Sequence, residues 1–242
     1  MELSPDKIKE NYSIVEEEIE RSVRVVGRNF EDVKLVVVTK GQPIGVVRSA
    51  IIAGIHRLGE NYVGEASQKI TAIQKGIETP VEWHMIGHIQ SRKARSVCEL
   101  FNYVHSVDSV KLANRLNQYA NDIGRMLPIL LECNVSGESS KFGWMAWDEE
   151  RWDDLLADFI QIAFLSSLEI KGLMTMAPNL NVIEETRPIF RRLRRLSEYL
   201  NVHLSACDWS ELSMGMSSDY QIAIQEGATI VRIGTAILGK RS

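Results

Sequence analysis

Cysteine is scarce in this sequence: the 242 residues include three, far apart, and no CxxC pair. That pattern excludes a disulfide framework and is typical of reduced thiols in a cytosolic protein. No apolar run is long enough to span a bilayer, and the charged N-terminal stretch lacks the apolar segment of a signal peptide. We therefore expect a cytoplasmic protein that does not act at a membrane.

An excess of positive charge is also missing. The formal net charge is -4, and nucleic-acid binding, which usually needs a basic domain or stripe, is not expected. Sequence repeats, low-complexity tracts and Pro/Gly/Ser-rich linkers are absent as well. The apolar content of 45% is that of an ordinary globular chain. We expect a single domain over residues 1–242, a length that α/β barrels often reach.

What the sequence does have is a regular alternation of short apolar runs and longer amphipathic stretches. The run VKLVVVT at residues 33–39 is typical of a parallel strand covered on both faces, and QPIGVVRSAIIAG after it is typical of a helix. About eight such pairs follow an extra helix around residues 6–26. The pattern predicts a (β/α)8 TIM barrel with an extra N-terminal helix. An open doubly wound sheet is the alternative, weakened because no G-x-G-x-x-G follows the first strand.

The strongest chemical feature is Lys40, which follows the first predicted strand. Active sites of such barrels lie at the carboxyl ends of the strands. A lysine held there in an apolar pocket is pushed toward its neutral amine, which can attack a carbonyl and form a Schiff base. On spacing alone, a solvated lysine at a strand end is the alternative interpretation.

Two glycine-rich stretches, MGMSSD at residues 214–219 and IGTAILG at residues 233–239, predict a phosphate site. Helix N-termini and exposed loop amides bind anions, and barrels often hold phosphate in the loops after strands seven and eight. Ordinary turn glycines are the alternative.

A third motif, His84 and His88 as HxxxH, predicts no metal site. A zinc motif of this spacing needs both histidines on one helical face, usually with a glutamate after the first. Here Met85 follows His84 and Gly87 interrupts the stretch.

A Schiff-base lysine beside a phosphate site fits two chemistries. One is an aldolase acting on a phosphorylated sugar, and the other is pyridoxal phosphate held on the lysine. Arg232, inside the last predicted strand, bears on the choice, because a pyridine nitrogen needs a partner far from the phosphate and a sugar has no such nitrogen.

Seven stretches add a family resemblance: VVVTKGQP, LGENYVGEA, WHMIGHIQSRK, NVSGESSKFG, GLMTMAP, LSMGMSSD and VRIGTAILG. In order and spacing they resemble the pyridoxal phosphate homeostasis protein family, over residues 36–239. Any one stretch alone is a weak signal, and seven in order are a specific one. The departures are at Gly41 and Gln42, where many members have Thr and another residue before the proline.

The resemblance implies an alanine-racemase-like barrel that carries pyridoxal 5'-phosphate. It makes Lys40 the Schiff-base lysine and places Asn61 beside the cofactor. It makes Arg232 the arginine that faces the pyridine nitrogen. The segments that hold the phosphate in the family match five residues here: Ser213, Met214, Ser217, Gly234 and Thr235.

Arg232 also bears on activity. Arginine is always a cation and only donates hydrogen bonds, so a pyridine nitrogen beside it stays unprotonated and the ring is a weak electron sink. Racemases of this fold type add a second β domain and a partner subunit, and we expect the barrel to take up the whole of this sequence, with no residues left for that domain.

We therefore expect a cofactor carrier in intracellular vitamin B6 homeostasis rather than an enzyme, with no catalytic residues. It would be a monomer that supplies pyridoxal phosphate to apo-enzymes. The alternatives are a weak amino-acid racemase or another pyridoxal phosphate enzyme, and the Schiff-base aldolase.

Overall fold

Eight parallel strands close into a barrel in the computed structural model, which describes residues 3–76, 79–178 and 180–240. The described residues form these eight strands and one more: β1 Lys34–Val38, β2 Arg57–Glu60, β3 Glu82–Met85, β4 Tyr103–Val107, β5 Leu127–Asn134, β6 Trp144–Met145, β7 Leu168–Met174, β8 Glu211–Ser213 and β9 Ile230–Ile233. The pairings β4–β5 and β1–β9 complete the ring. The short β6 pairs in parallel with β5 and stands outside the ring.

Helices alternate with the strands and cover the outside of the barrel. They are α1 Pro5–Val25, α2 Ile44–Ile52, α3 Val63–Gln74, α4 Ala94–Leu100, α5 Val110–Asp122, α6 Asp153–Ala163, α7 Arg187–His203, α8 Tyr220–Gln225 and α9 Thr235–Leu238. The extra helix α1 begins after Ser4, whose side chain accepts from the N–H of Lys7. It packs against α8 and α9. The predicted (β/α)8 barrel with an extra N-terminal helix is confirmed.

Apolar side chains form two layers, one inside the ring of strands and one between the ring and the helices. Successive residues of a strand point to opposite faces, so a strand covered on both faces is apolar at consecutive positions. Val36 belongs to the inner layer, whereas its neighbours Leu35 and Val37 belong to the outer one. The inner layer consists of Val36, Tyr103, Leu130, Met174 and Ile230, with Met176 packed against it.

The predicted elements differ from the structure mainly in short pieces. Strand β1, Lys34–Val38, is one residue shorter at each end than the predicted run 33–39. The stretch IGTAILG, predicted as a phosphate loop, contains the one-turn helix α9. Neither α9 nor the two-residue β6 is long enough to show a hydrophobic period in sequence.

The described ranges contain no helix that is both long and apolar enough to cross a bilayer. The cysteines in them are free thiols, with Cys98 and Cys133 buried and Cys207 partly exposed. Burial raises the pKa of the Cys98 thiol to about 11, which keeps it in its unreactive protonated form.

Candidate functional site

A cavity of about 260 Å³ opens at the end of the barrel where Lys40 and Asn61 follow their strands. This is the carboxyl end of the parallel strands, where barrels of this type carry their active sites. Six of the eight predicted ligand residues line it: Lys40, Asn61, Ser217, Arg232, Gly234 and Thr235. The lining also includes residues that the sequence analysis did not select: Val38, Ile86, Met176, Met216 and Ser218.

Lys40 lies in the turn after β1. Thr39 before it is fully buried, and Gly41 after it has a φ of 70°, a left-handed conformation that glycine adopts without steric cost. The Gly41 N–H donates a hydrogen bond of 2.6 Å to Oε1 of Glu65. The turn is therefore fixed on both sides of the residue that lines the cavity.

A buried lysine on α3, Lys69, holds the same turn. Its Nζ donates to the main-chain oxygen of Thr39 at 2.6 Å, to Oε1 of Glu60 at 2.7 Å and to Oε1 of Glu65 at 2.5 Å. Lys69 is 3% exposed and Glu60 is fully buried. Burial raises the pKa of Glu60, and the hydrogen bonds from Lys69 and Thr39 oppose that rise. We call Glu60, Glu65 and Lys69 the lysine clamp, because they hold the backbone on either side of Lys40.

Arg232 is part of the cavity wall although it is only 4% exposed. It lies on β9 opposite Val36 of β1. One terminal nitrogen, Nη1, donates to Oγ of Ser213 at 2.5 Å, and Nη2 donates to the main-chain oxygen of Thr175 at 2.9 Å. Burial lowers the pKa of Arg232 to about 10, so the guanidinium remains a cation at neutral pH.

The other two predicted ligand residues, Ser213 and Met214, do not line the cavity. Ser213 is fully buried at the end of β8 and accepts a hydrogen bond from Arg232. Met214 is fully buried in the apolar layer outside the ring. Both residues are therefore buried away from the cavity lining, and their contact with a phosphate stays a prediction.

Hydroxyl groups gather on one part of the cavity wall. The loop after β8 turns at Gly215, whose φ is 95° and where a Cβ would come within 2.7 Å of the Cβ of Ala223. The chain that follows brings Ser217 and Ser218 to the cavity, and Thr235 at the start of α9 joins them. Hydroxyl groups are hydrogen-bond donors, so this part of the wall suits an anion.

Asn61 has a buried side-chain oxygen that a ligand could satisfy. Its Oδ1 is buried and has no hydrogen-bond partner in the part of the chain that the structure describes. Leaving such an acceptor unsatisfied costs free energy, which a bound donor group would recover. The backbone of Asn61 is held closely, because a Cβ at Gly87 would lie 2.4 Å from its carbonyl oxygen.

Two histidines inside the barrel have a place that the sequence analysis did not find. His84 on β3 and His105 on β4 are buried and hydrogen-bonded to each other at 2.8 Å. His88 instead pairs with Asp108 at 2.9 Å and stacks on Phe142. The two members of the HxxxH motif therefore have different partners. The available signal was a histidine within each short strand, in EWHM and in YVHSV.

The barrel and the cavity at its carboxyl end define a class of protein, and the comparison with family models agrees with it. The model described as "Alanine racemase, N-terminal domain" matches residues 14–242. Alanine racemase from Clostridium difficile shares this fold, with a TM-score of 0.71 at 15% identity over 96% of this chain and 59% of that chain.

Within that class, the chain belongs to the pyridoxal phosphate homeostasis protein family. It is 39% identical to the "Pyridoxal phosphate homeostasis protein" of Pseudomonas aeruginosa, over 97% of this chain and 96% of the relative. It is 37% identical to the protein of that name from Vibrio alginolyticus, over 97% of each chain.

Solved structures of a relative support the same placement. PipY from Synechococcus elongatus, without pyridoxal phosphate, has a TM-score of 0.84 at 34% identity, over 96% of this chain and 100% of that chain. The PipY structure with pyridoxal phosphate bound has a TM-score of 0.78 at 35% identity, over 92% and 100%.

Proposed function

We propose that this chain binds pyridoxal 5'-phosphate as a Schiff base on Lys40 and acts in vitamin B6 homeostasis. The observation that carries the proposal is one cavity lined by a lysine, an arginine and three hydroxyl side chains. Those groups match the three functional ends of the cofactor, namely its aldehyde, its ring nitrogen and its phosphate. The orphaned Oδ1 of Asn61 offers an acceptor to a polar substituent of the ring. The names of the relatives and the cofactor bound to PipY favour this ligand over a phosphorylated sugar.

Lys40 is the residue that forms the covalent bond in this proposal. Its amine attacks the aldehyde carbon, a C=N bond forms, and the aldehyde oxygen leaves as water. Lys69 is the other lysine near the turn, and it is unsuited to that role because its Nζ donates to three oxygens.

The hydroxyl wall and Arg232 hold the two ends of the cofactor. Ser217, Ser218 and Thr235 donate to the phosphate. Gly234 lets the chain after β9 pass close to the end of β1, because a Cβ at that position would lie 3.0 Å from the main-chain oxygen of Val38. Arg232 faces the pyridine nitrogen as a donor. When bound, pyridoxal phosphate supplies an electron sink, and a donor at its nitrogen keeps that sink weak.

We propose a carrier without strong catalysis for that reason. A racemase needs acid and base groups on both faces of the substrate carbon.

The proposal extends to a cytoplasmic monomer, one domain over residues 1–242, which supplies the cofactor to apo-enzymes. The pairing of β1 with β9 and the packing of α1 on α8 and α9 support one domain, and the free thiols fit a reducing compartment.

The test is alanine racemisation by the protein loaded with pyridoxal phosphate. L-alanine is added in large excess, and D-alanine is followed by chiral chromatography beside an authentic alanine racemase. We expect the visible absorption band to respond to the amino acid while D-alanine stays below one equivalent per protein. Many equivalents of D-alanine would overturn the carrier proposal in favour of a racemase, and a loaded sample without a visible band would overturn cofactor binding itself.

A further inference from the structure

Four buried side chains form a continuous hydrogen-bonded chain through the interior of the barrel. It starts at the cavity with Arg232, which donates to Ser213 Oγ at 2.5 Å. Ser213 Oγ lies 2.8 Å from Nδ1 of His105, and Nε2 of His105 lies 2.8 Å from Nδ1 of His84. All four residues are 4% exposed or less. We call Arg232, Ser213, His105 and His84 the interior chain.

The direction of the interior chain follows from its first member. Arginine has no acceptor, so Ser213 Oγ must accept from Arg232. The serine hydroxyl then donates its proton to Nδ1 of His105. The proton of His105 is thereby placed on Nε2, which donates to Nδ1 of His84. His84 in turn carries its proton on Nε2, which faces Oε1 of Glu82 at 3.5 Å.

The reverse direction leaves two groups in unfavourable positions. If Nδ1 of His105 carried the proton, the serine proton would have no acceptor within the interior chain. His84 would then donate from Nδ1 and turn the bare lone pair of Nε2 toward the carboxylate of Glu82. Between Arg232 and His84 the first arrangement gives each proton an acceptor. The outermost atom, Nε2 of His84, faces the Glu82 carboxylate at 3.5 Å without a hydrogen-bond partner among the described residues.

The surroundings of His105 keep its ring uncharged in this arrangement. His105 is fully buried, and burial, His84, Arg232 and Lys34 all lower its pKa well below the ordinary value. Other titratable groups at that end of the barrel are already paired: Tyr103 with Glu211, Lys34 with Glu211, and Arg57 with Glu82. Tyr103 also stacks on the His84 ring, with centroids 5.4 Å apart.

We propose that His105 and His84, both in the Nε2–H tautomer, are positioning residues that orient Arg232 toward the ligand. Nδ1 of His105 takes the proton of the Ser213 hydroxyl and so keeps its oxygen turned toward one terminal nitrogen of the guanidinium. The oxygen of Thr175 accepts from the other. Arginine has five N–H groups, so these two hydrogen bonds leave three of them for other partners. The effect on a ligand rests on the proposed function, since Arg232 is there the partner of the pyridine nitrogen.

The interior chain positions a group and does not conduct protons to the ligand. A relay needs each member to accept a proton on one side and release it on the other. Arg232 cannot accept one, so the sequence of transfers stops at Ser213. Its histidines therefore act on the ligand through the placement of the guanidinium.

The first arm of the test reads the tautomers directly in the protein without cofactor. Long-range ¹H–¹⁵N correlation spectra at neutral pH resolve the side chains of the five histidines, and single histidine variants assign them. We expect His84 and His105 both to carry the proton on Nε2. A proton on Nδ1 of either ring, or a charged His105, would overturn the proposal.

The second arm compares two substitutions at His105. His105→Asn keeps an acceptor near the position of Nδ1, whereas His105→Phe removes it. We expect His105→Phe to weaken pyridoxal phosphate binding by about tenfold or more, since losing a hydrogen bond that supports a charged group corresponds to one or two powers of ten. It should also shift the visible absorption maximum, and His105→Asn should restore most of both. His203→Phe, at the exposed end of α7, is the control.

Equal losses in the Asn and Phe variants would show a role in packing alone and overturn the proposal. If His105→Phe does not fold, Ser213→Ala gives the same readout from the next member of the interior chain. A failure of the proposed function is distinguishable from a failure of this proposal. In the first case the wild-type protein would take up no cofactor, while the tautomers could still be measured.

Discussion

Among single residues, Arg232 stands out as a charged side chain buried inside strand β9, and its neighbours explain how the strand accommodates it. The guanidinium has two uncharged acceptors within 2.9 Å, and the carboxyl groups of Glu132 and Asp219 raise its pKa against the effect of burial. The cation is thus kept at the cavity by acceptors below it and by acidic groups around it. The family resemblance identified this residue, but the depth at which it lies could not be read from the sequence.

Glu132, one of the acidic groups near Arg232, gives a prediction about how the stability of the protein depends on pH. Burial, then the charge of Asp108, raise the pKa of Glu132 from 4.5 to about 7, while Arg232 and Lys141 oppose the rise. The folded state therefore binds the proton more tightly than the unfolded chain does. The contribution of Glu132 to the free energy of unfolding is fully present below pH 4.5 and is lost as the pH rises through about 7. The loss is roughly 3 kcal/mol, at 1.36 kcal/mol per pH unit.

Glu132→Gln should remove that loss. We expect the free energy of unfolding of the variant, relative to wild type, to increase between pH 5 and pH 8 by about 2–3 kcal/mol. Urea unfolding at the two pH values measures it. Glu99→Gln, at an exposed position on α4, controls for the loss of one carboxyl group. A stability difference for Glu132→Gln that is the same at both pH values would contradict the pKa assignment.

At the scale of elements, α3 holds the turn after β1 through the lysine clamp. Its three members come from the stretch ENYVGEASQK, and each forms a hydrogen bond with Thr39 or Gly41, the neighbours of Lys40. Strands and helices were predictable because their apolar periods run over many residues. The clamp was not, since Glu65 and Lys69 at a spacing of four look like an ordinary exposed helical pair.

Lys69→Met tests the lysine clamp. It leaves Glu60 buried without its cation, and breaking a buried ion pair costs about 3–5 kcal/mol. We expect a loss of unfolding free energy of that order in urea titrations and weaker binding of pyridoxal phosphate. Lys75→Met, at the exposed end of α3, should change neither. The double variant Lys69→Met with Glu60→Gln should recover part of the stability, and a Lys69→Met protein as stable as Lys75→Met would contradict this role.

At the scale of the whole molecule, closure of the barrel assembles the site. The pairing of β9 with β1 puts Arg232 beside Val36 and brings Gly234 near the end of β1, although nearly 200 residues of chain lie between them. Motifs far apart in sequence thereby meet at one cavity. The alternation of strands and helices predicted that meeting point, because every parallel strand ends at the same rim. The interior chain could not be predicted, since it joins β3, β4, β8 and β9 by side chains whose inward direction depends on exact register.

Covalent capture on Lys40 is the central claim, and one measurement tests it most directly. The wild-type protein is loaded with pyridoxal phosphate, reduced with borohydride, digested and analysed by mass spectrometry, with Lys40→Ala and Lys75→Ala treated in parallel. We predict one pyridoxyl phosphate group on the peptide that contains Lys40, the same label in Lys75→Ala, and none in Lys40→Ala. A label on another lysine in the wild type, or a label of equal amount in Lys40→Ala, would contradict the account.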